Sequence, residues 1–356
     1  MRPTRDDERG IADSGVLKRS SILGQLLNGY DDAIQALSAA RRVLVTTHVR
    51  PDGDALGSTT ALLLALRAKA VAADLLTLSP VPSKYAFVLA DAGVEARQIA
   101  KDLPPDFSLD AYDTFVSVDT GTWSQLPGLE PHVERFTGRK VVIDHHLTQG
   151  DWADVMLVVK DAAAAGEIVA DLIERWGVPL TPPMAQALYV ALVSDTGWFQ
   201  FSSTRPGTLR LAARLLEAGV DNDRVYQLLY QNERPQRIAL QTRGQSTLEL
   251  LADNRVAVMT IAAADFAATG GTVNDTEGVV NYPLQVRTVQ VSVLLTQPPE
   301  GGPVRISFRS KGQIDVAQFA EQFGGGGHAR AAGAKFTGTL DAAKATVMER
   351  LLQTLA

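Results

Sequence analysis

Three short apolar runs in this chain each end abruptly in acidic or imidazole side chains. RVLVTT (42–47) runs into His48-Val49-Arg50-Pro51-Asp52-Gly53-Asp54, FVSV (115–118) into Asp119-Thr120-Gly121, and VVI (141–143) into Asp144-His145-His146. β-Branched runs of this length read as buried strands. Between and after them lie Ala- and Leu-rich stretches with helical spacing, such as 58–70 and 162–176. Strands that alternate with helices require a parallel sheet with helices on both faces. In such a sheet ligands sit beyond the carboxyl ends of the strands, and the three clusters fall there. The predicted fold class is therefore α/β.

The same periodicity organises the rest of the chain. Residues 1–20 form a polar tail, and 21–39 carry a helical pattern through Ile22, Leu26, Leu27, Ile34 and Leu37. The stretch 48–57, rich in Gly and Pro, reads as a loop before the helix at 58–70. Two further helices are expected at 184–192 and 208–218, the second closed by Gly219. The domain carrying the acidic clusters spans 21–221. A helical connector follows at 222–240, interrupted by Pro235, and a smaller mixed α/β domain fills 241–356. Its strands are predicted at 247–251, 256–261, 289–296 and 304–309, with a closing helix at 340–355. Within it, ARAAGAKF (329–336) is helix-like.

Composition narrows the chemistry. The chain has 356 residues and no cysteine, so thiolate metal sites, disulfides and cysteine nucleophiles are excluded, and any metal must be held by Asp, Glu or His. The net charge of −6 argues against a footprint for long duplex nucleic acid. No apolar run is long enough for a membrane span and no signal-peptide pattern opens the chain, so a cytoplasmic protein is expected.

Histidine is scarce, and four of the five lie in acidic or glycine-rich clusters. Carboxylate oxygens and imidazole nitrogens together are the ligand set of a two-metal hydrolase. In His48-x3-Asp52-x-Asp54 a tight turn at Gly53 can aim several donors, with Asp52 and Asp54 facing different ions, although PDGD alone is also a common Asx turn. Asp119, at the end of a buried strand, suits a bridging carboxylate or a helix cap. In the Asp144-His145-His146 triplet, His145 suits a metal ligand and His146 a phosphoryl contact, while Asp144 can orient an imidazole. Asp195 follows an apolar helix in VSDTG. In the second domain, Gly324–Gly327 can present backbone N–H groups to an anion, His328 can donate to a phosphate oxygen, and Arg309 can grip one bidentately.

The ordered set HVRPDGDALGS, VSVDTG, VIDHHLT, ALVSDTGWFQF and FGGGGHARAAG resembles the DHH phosphoesterase superfamily, and within it the branch that degrades nanoRNA and dephosphorylates pAp. TEGVVNYP (276–283) and Arg309-Ser310 fit the same branch, and the resemblance runs from about residue 20 to the end. It implies a DHH domain and a DHH-associated domain with the active site in the cleft between them. One metal would take His48, Asp52 and Asp119, the second Asp54, Asp119, His145 and Asp195. His146 and Asp144 would serve catalysis. Arg309, Ser310, Gly325, Gly326, Gly327 and His328 would bind the substrate. Two divalent ions, Mn2+ foremost, short RNA and pAp as substrates, and a homodimer are the implied cofactors and partners. Pyrophosphate or short polyphosphate hydrolysis, a linear or cyclic dinucleotide phosphodiesterase, and a nucleotide-binding protein without catalysis are the rival readings. Where the family pattern leads from the triplet to an Asn, this chain has Leu147-Thr148-Gln149.

Overall fold

The computed structural model describes residues 29–355, apart from 101 and 313, so the predicted tail at 1–20 and the helical positions at 21–28 lie outside the described residues. The chain divides into two compact units, with the boundary between Asn232 and Glu233.

In the first unit a helix α1 (29–39) precedes six strands. They are β1 (Arg42–Thr46), β2 (Ala72–Thr77), β3 (Ala96–Gln98), β4 (Thr114–Val118), β5 (Arg139–Asp144) and β6 (Val155–Val158). All pair in parallel in the order β3-β2-β1-β4-β5-β6. The order reverses between β1 and β4, the point where α/β sheets open a ligand crevice. Alternation along the strands feeds two cores. Val43, Val45, Val116, Val118, Val141 and Ile143 face α1 and the helices α2 (Gly53–Ala68), α5 (Ala165–Arg175) and α6 (Pro182–Asp195). Leu44 and Phe115 face the opposite way, under Leu126, Leu129 and Val133, the last on the short helix α4 (Glu130–Arg135). A short α3 (Ala86–Asp91) and the helices α7 (Pro206–Glu217) and α8 (Asn222–Tyr230) complete the unit.

The stretch 48–57 is only partly a loop, because α2 begins at Gly53. Asp52 is its N-cap and accepts from the amides of Asp54 and Ala55. Gly53 and Gly57 are helical because they lie on a seam with α6. A Cβ on Gly53 would run into Ser194 Oγ, and one on Gly57 into the Ala187 carbonyl and Ala191. Two helices meet this closely only when small residues face each other.

In the second unit, helices α9 (Pro235–Ser246), α10 (Ala263–Thr269), α11 (Val316–Glu321) and α12 (Leu340–Leu355) surround a mixed sheet. Its strands are β7 (Glu249–Leu251), β8 (Val256–Ile261), β9 (Val291–Thr296), β10 (Val304–Ser310), β11 (Gly326–His328) and β12 (Ala331–Phe336), in the order β11-β12-β10-β9-β8-β7. Only β8 and β9 pair in parallel. The expected connector at 222–240 thus contains α8 in the first unit and the start of α9 in the second.

ARAAGAKF is not a helix. Residues 331–336 form β12, whose Ala332 and Ala334 turn into the core while Gly333 and Lys335 face out. The high helix propensity of alanine is overridden by sheet pairing on β10. Nor is the glycine run an open loop. Gly326–His328 pairs with β12, and a Cβ on Gly325 would strike the Gly333 carbonyl and Ala334. These glycines let two backbones approach.

The seam between α2 and α6 gives a test in which two effects oppose each other. On propensity alone Gly57→Ala should stabilise α2 by about 1 kcal/mol. Overpacking against Ala187 and Ala191 costs about 1–3 kcal/mol and sets the sign. Urea unfolding should therefore show a lower midpoint for Gly57→Ala, and a raised midpoint would contradict the close seam.

Candidate metal centre

The carboxyl ends of β1, β4 and β5 carry the first donors, and the start of α2 and the end of α6 carry the rest. Asp119 follows β4 with a left-handed backbone, φ 64°, a conformation that Asp tolerates better than most residues. Its amide donates to the Ile143 carbonyl at 2.8 Å, and it is 2% exposed. Three imidazoles converge on its carboxylate. His48 Nε2 lies 3.5 Å from Oδ2, while His145 Nε2 and His146 Nδ1 lie 3.3 and 3.8 Å from Oδ1.

Asp54, in the first turn of α2, has no solvent exposure. Its oxygens accept from the amides of Ala165 (2.6 Å) and Gly166 (2.9 Å), the first turn of α5. A helix N-terminus offers free N–H groups and a favourable dipole, so it holds a buried anion well. A Cβ on Gly166 would press on Ala191, so this close approach also depends on a glycine. Asp195, the last residue of α6, places Oδ2 3.3 Å from His145 Nε2, and Asp54 Oδ2 is 3.7 Å from the same nitrogen.

The imidazoles show what these carboxylates need. His48 Nδ1 lies 3.0 Å from the Val49 carbonyl and His145 Nδ1 lies 3.2 Å from the Ala162 carbonyl. A carbonyl only accepts, so both Nδ1 atoms carry the proton. In the neutral rings Nε2 then presents a lone pair to carboxylate oxygens, which is repulsive unless a cation lies between them. His145 Nε2 and Asp119 Oδ1 are in fact buried with no hydrogen-bond partner. An N–H donated to backbone from one side and a bare nitrogen on the other is the arrangement of a metal-ligating histidine. Donor atoms of His48, Asp52 and Asp119 lie within 4.8 Å of one another, as do those of Asp54, His145 and Asp195, and a third such group joins Asp119, Asp144, His145 and His146. The residues present fit divalent ions.

Without a metal, protons take the same place. Burial works against a charged His48, yet Asp119 and Asp52 outweigh it and hold the ring up at about 10. Burial likewise opposes charge on His145, and Asp119 with Asp195 raises it to about 9. Burial and the neighbouring carboxylates hold Asp54 well above the usual range and push Asp195 up to about 6.

Asp144 differs from the other acids. It is fully buried, and its carboxylate accepts from the amides of His145 (2.7 Å) and His146 (3.2 Å), from His146 Nδ1 (2.8 Å) and from Gln149 Nε2 (2.6 Å). Four donors nearly saturate a carboxylate, which suits Asp144 to orienting His146 rather than to ligating. With Nδ1 committed, Nε2 is the ring atom of His146 left for a ligand, on a side chain 56% exposed.

In the second unit, register aligns Arg309 on β10 with Ala331 on β12, and Ala331 with His328 on β11. Arg309 and His328 therefore point from the same sheet face. Burial pulls the Arg309 guanidinium below its ordinary value, and Nη1 donates to the Phe308 carbonyl. Ser310 lies on the buried face, with its hydroxyl given to the Ile314 carbonyl at 2.7 Å.

Four contributors were given no role at the site by sequence reasoning. The amides of Ala165 and Gly166 carry no side-chain signal beyond the glycine itself. Gln149 stood out only as a departure from a family pattern, yet it holds both Asp144 and the His146 carbonyl. Gly57 could have been found from its four-residue spacing to Gly53.

Comparison with known proteins bears on both units. A model described as the DHH family, N-terminal domain, matches residues 42–192, and a DHHA1 domain model matches 253–355. The bifunctional oligoribonuclease and PAP phosphatase NrnA of Thermus thermophilus is 32% identical over 319 residues, 88% of this chain and 90% of its own. Its Bacillus subtilis counterpart of the same name is 24% identical over 316 residues, 85% of this chain and 92% of its own. The crystal structure of an exopolyphosphatase-related protein from Bacteroides fragilis matches with a TM-score of 0.79 at 25% identity, over 92% of this chain and 96% of that one.

The proton-holding centre makes a prediction for the metal-free protein. Asp195 gains a proton on folding, and the penalty for ionising it enters as pH rises from 3.8 to about 6. The stabilisation from protonated His145 and His48 is complete below 6.5 and is lost through about 9 and about 10. Both trends make stability fall with rising pH. In chelator, thermal melts should therefore drop from pH 6 to pH 9. Added Mn2+ should raise the melting temperature by an increment that grows with pH, because metals bind deprotonated ligands. A chelated melting temperature indifferent to pH would contradict this account.

Proposed function

We propose, for a chain that belongs to the DHH family of phosphoesterases, that it hydrolyses very short 5′-phosphorylated RNA to nucleoside monophosphates and removes the 3′-phosphate of pAp. The observation that carries this reading is the convergence of three imidazoles on Asp119, in a chain aligned over most of its length with relatives named for those two activities.

His48, Asp52 and Asp119 would hold one divalent ion, and Asp54, Asp119, His145 and Asp195 the other, with Asp119 shared. Hard oxygen and imidazole donors suit Mn2+, and ions there would supply Lewis acidity and a nucleophilic water near neutral pH. The protein's own groups do the rest. Asp54, fixed by two α5 amides, keeps its oxygens in place without solvent rearrangement. Asp144 holds the His146 ring so that Nε2 meets the scissile phosphoryl group or protonates the leaving oxygen. In the second unit, Arg309, His328 and the backbone of Gly325–Gly327 take the substrate's terminal phosphate, and Ser310 holds the Ile314 carbonyl from inside. A cytoplasmic enzyme fits this substrate class. The likeness to an exopolyphosphatase-related protein makes pyrophosphate and short polyphosphate the comparison substrates.

The test is an assay with Mn2+ on 5′-labelled RNAs from the dinucleotide upward, beside pAp and pyrophosphate. Turnover should be fastest on the shortest RNAs and present on pAp. Equal rates on long and short RNA, or cleavage of pyrophosphate alone, would overturn the reading. Asp54→Asn and His145→Ala should each abolish hydrolysis. Arg309→Ala should chiefly raise KM, by roughly ten- to a hundredfold, the worth of one or two charged hydrogen bonds.

A further inference from the structure

We propose that the exposed Arg305–Lys335 pair, on the face of β10 and β12 that also carries Arg309, is a second anion site, which takes a phosphate further along a short single-stranded oligonucleotide. The proposal rests on the functional reading above and goes beyond it by giving the chain a means of favouring a few nucleotides over one.

The geometry comes from strand register. On β10, Val304, Ile306, Phe308 and Ser310 turn inward, while Arg305, Ser307 and Arg309 alternate on the other face. On β12 the same face carries Ala331, Gly333 and Lys335, and on β11 it carries Gly326 and His328. Arg305 stands directly opposite Lys335. Like charges in that position repel and destabilise a sheet unless an anion lies between them. Both side chains are exposed, and no carboxylate pairs with either among the described residues. On the neighbouring β9, Thr296, Leu294 and Ser292 stand opposite Arg305, Ser307 and Arg309, so the registered positions hold no acid. Apart from Glu277, whose charge reaches Arg309, this is a basic strip in a chain whose net charge is −6.

Its dimensions suit an extended chain of phosphates. The Arg309–His328 row and the Arg305–Lys335 row are four residues apart on β10, about 13 Å along the strand. Between them the floor is Ser307, Gly333 and Gly326, with almost no side chain. A terminal phosphate at Arg309 and His328 leaves the sugar-phosphate chain free to run over that floor to Arg305 and Lys335. A mononucleotide bisphosphate such as pAp, anchored at the first row, has no group that reaches the second.

The experiment compares wild type with the Arg305→Gln/Lys335→Gln double variant, two exposed changes that leave the core untouched. With Mn2+, KM is measured on pAp and on a 5′-phosphorylated pentanucleotide across a salt series. The expected result is an unchanged KM for pAp and a rise of about tenfold for the pentanucleotide at low salt. The slope of log KM against log salt for the pentanucleotide should also fall by about 0.7 for each phosphate that the variant no longer neutralises. An unchanged pentanucleotide KM and slope would overturn the second site and leave the phosphoesterase reading intact, as would an equal loss on both substrates. Wild type that cleaves neither substrate would overturn the functional reading, and this proposal with it.

Discussion

A carboxylate with no solvent exposure cannot remain charged in an apolar interior without compensation, and this chain buries Asp54 and Asp119 side by side. Much of the first unit serves that constraint. The amides that open α5 take one acid. The left-handed turn after β4 brings the other under three imidazoles. The glycine and alanine seam lets α2 and α6 approach until Asp54 and Asp195 share His145. Amide dipoles reduce the cost of the charge and do not remove it. The remainder falls to a cation at Nε2 of His48 and His145, either a proton or a metal.

The division of labour among the histidines follows from what each Nδ1 touches. Two donate to carbonyls and so turn a bare Nε2 toward carboxylates. The third donates to Asp144 and leaves its Nε2 uncommitted on a side chain that is 56% exposed. One residue type thus yields two ligands and one group free for substrate, through backbone and carboxylate partners rather than through differences in the rings. The second unit works with opposite charge. On β10, β12 and β11 one sheet face carries Arg305, Arg309, Lys335 and His328 around Ser307, Gly333 and Gly326, in contrast to the buried acidic cluster.

Much of this was legible in the chain. Apolar runs ending in Asp119 and in Asp144-His145-His146 marked strand ends, because a buried strand cannot absorb ionisable groups within itself. The donor residues could be picked out because Asp and His are rarely placed together without a use. The misreadings have a common cause. Gly53 and Gly57 looked like loop formers, and Ala331–Phe336 looked helical, because propensity describes a residue without neighbours. In the fold, Ser194 and Ala187 require the glycines, and β10 recruits the alanines as a strand.

By itself the sequence determined which side chains could carry chemistry, and that they would gather at one edge of a parallel sheet. Both follow from local pattern, from the two-residue period of strands and from the cost of burying charge. Only the tertiary structure decided how the donors divide. It directed each imidazole nitrogen, saturated Asp144 through Gln149, gave Asp54 the amides of a helix more than a hundred residues away, and set Arg305 opposite Lys335. Those outcomes depend on register and on the approach of distant backbones, which no stretch of sequence contains.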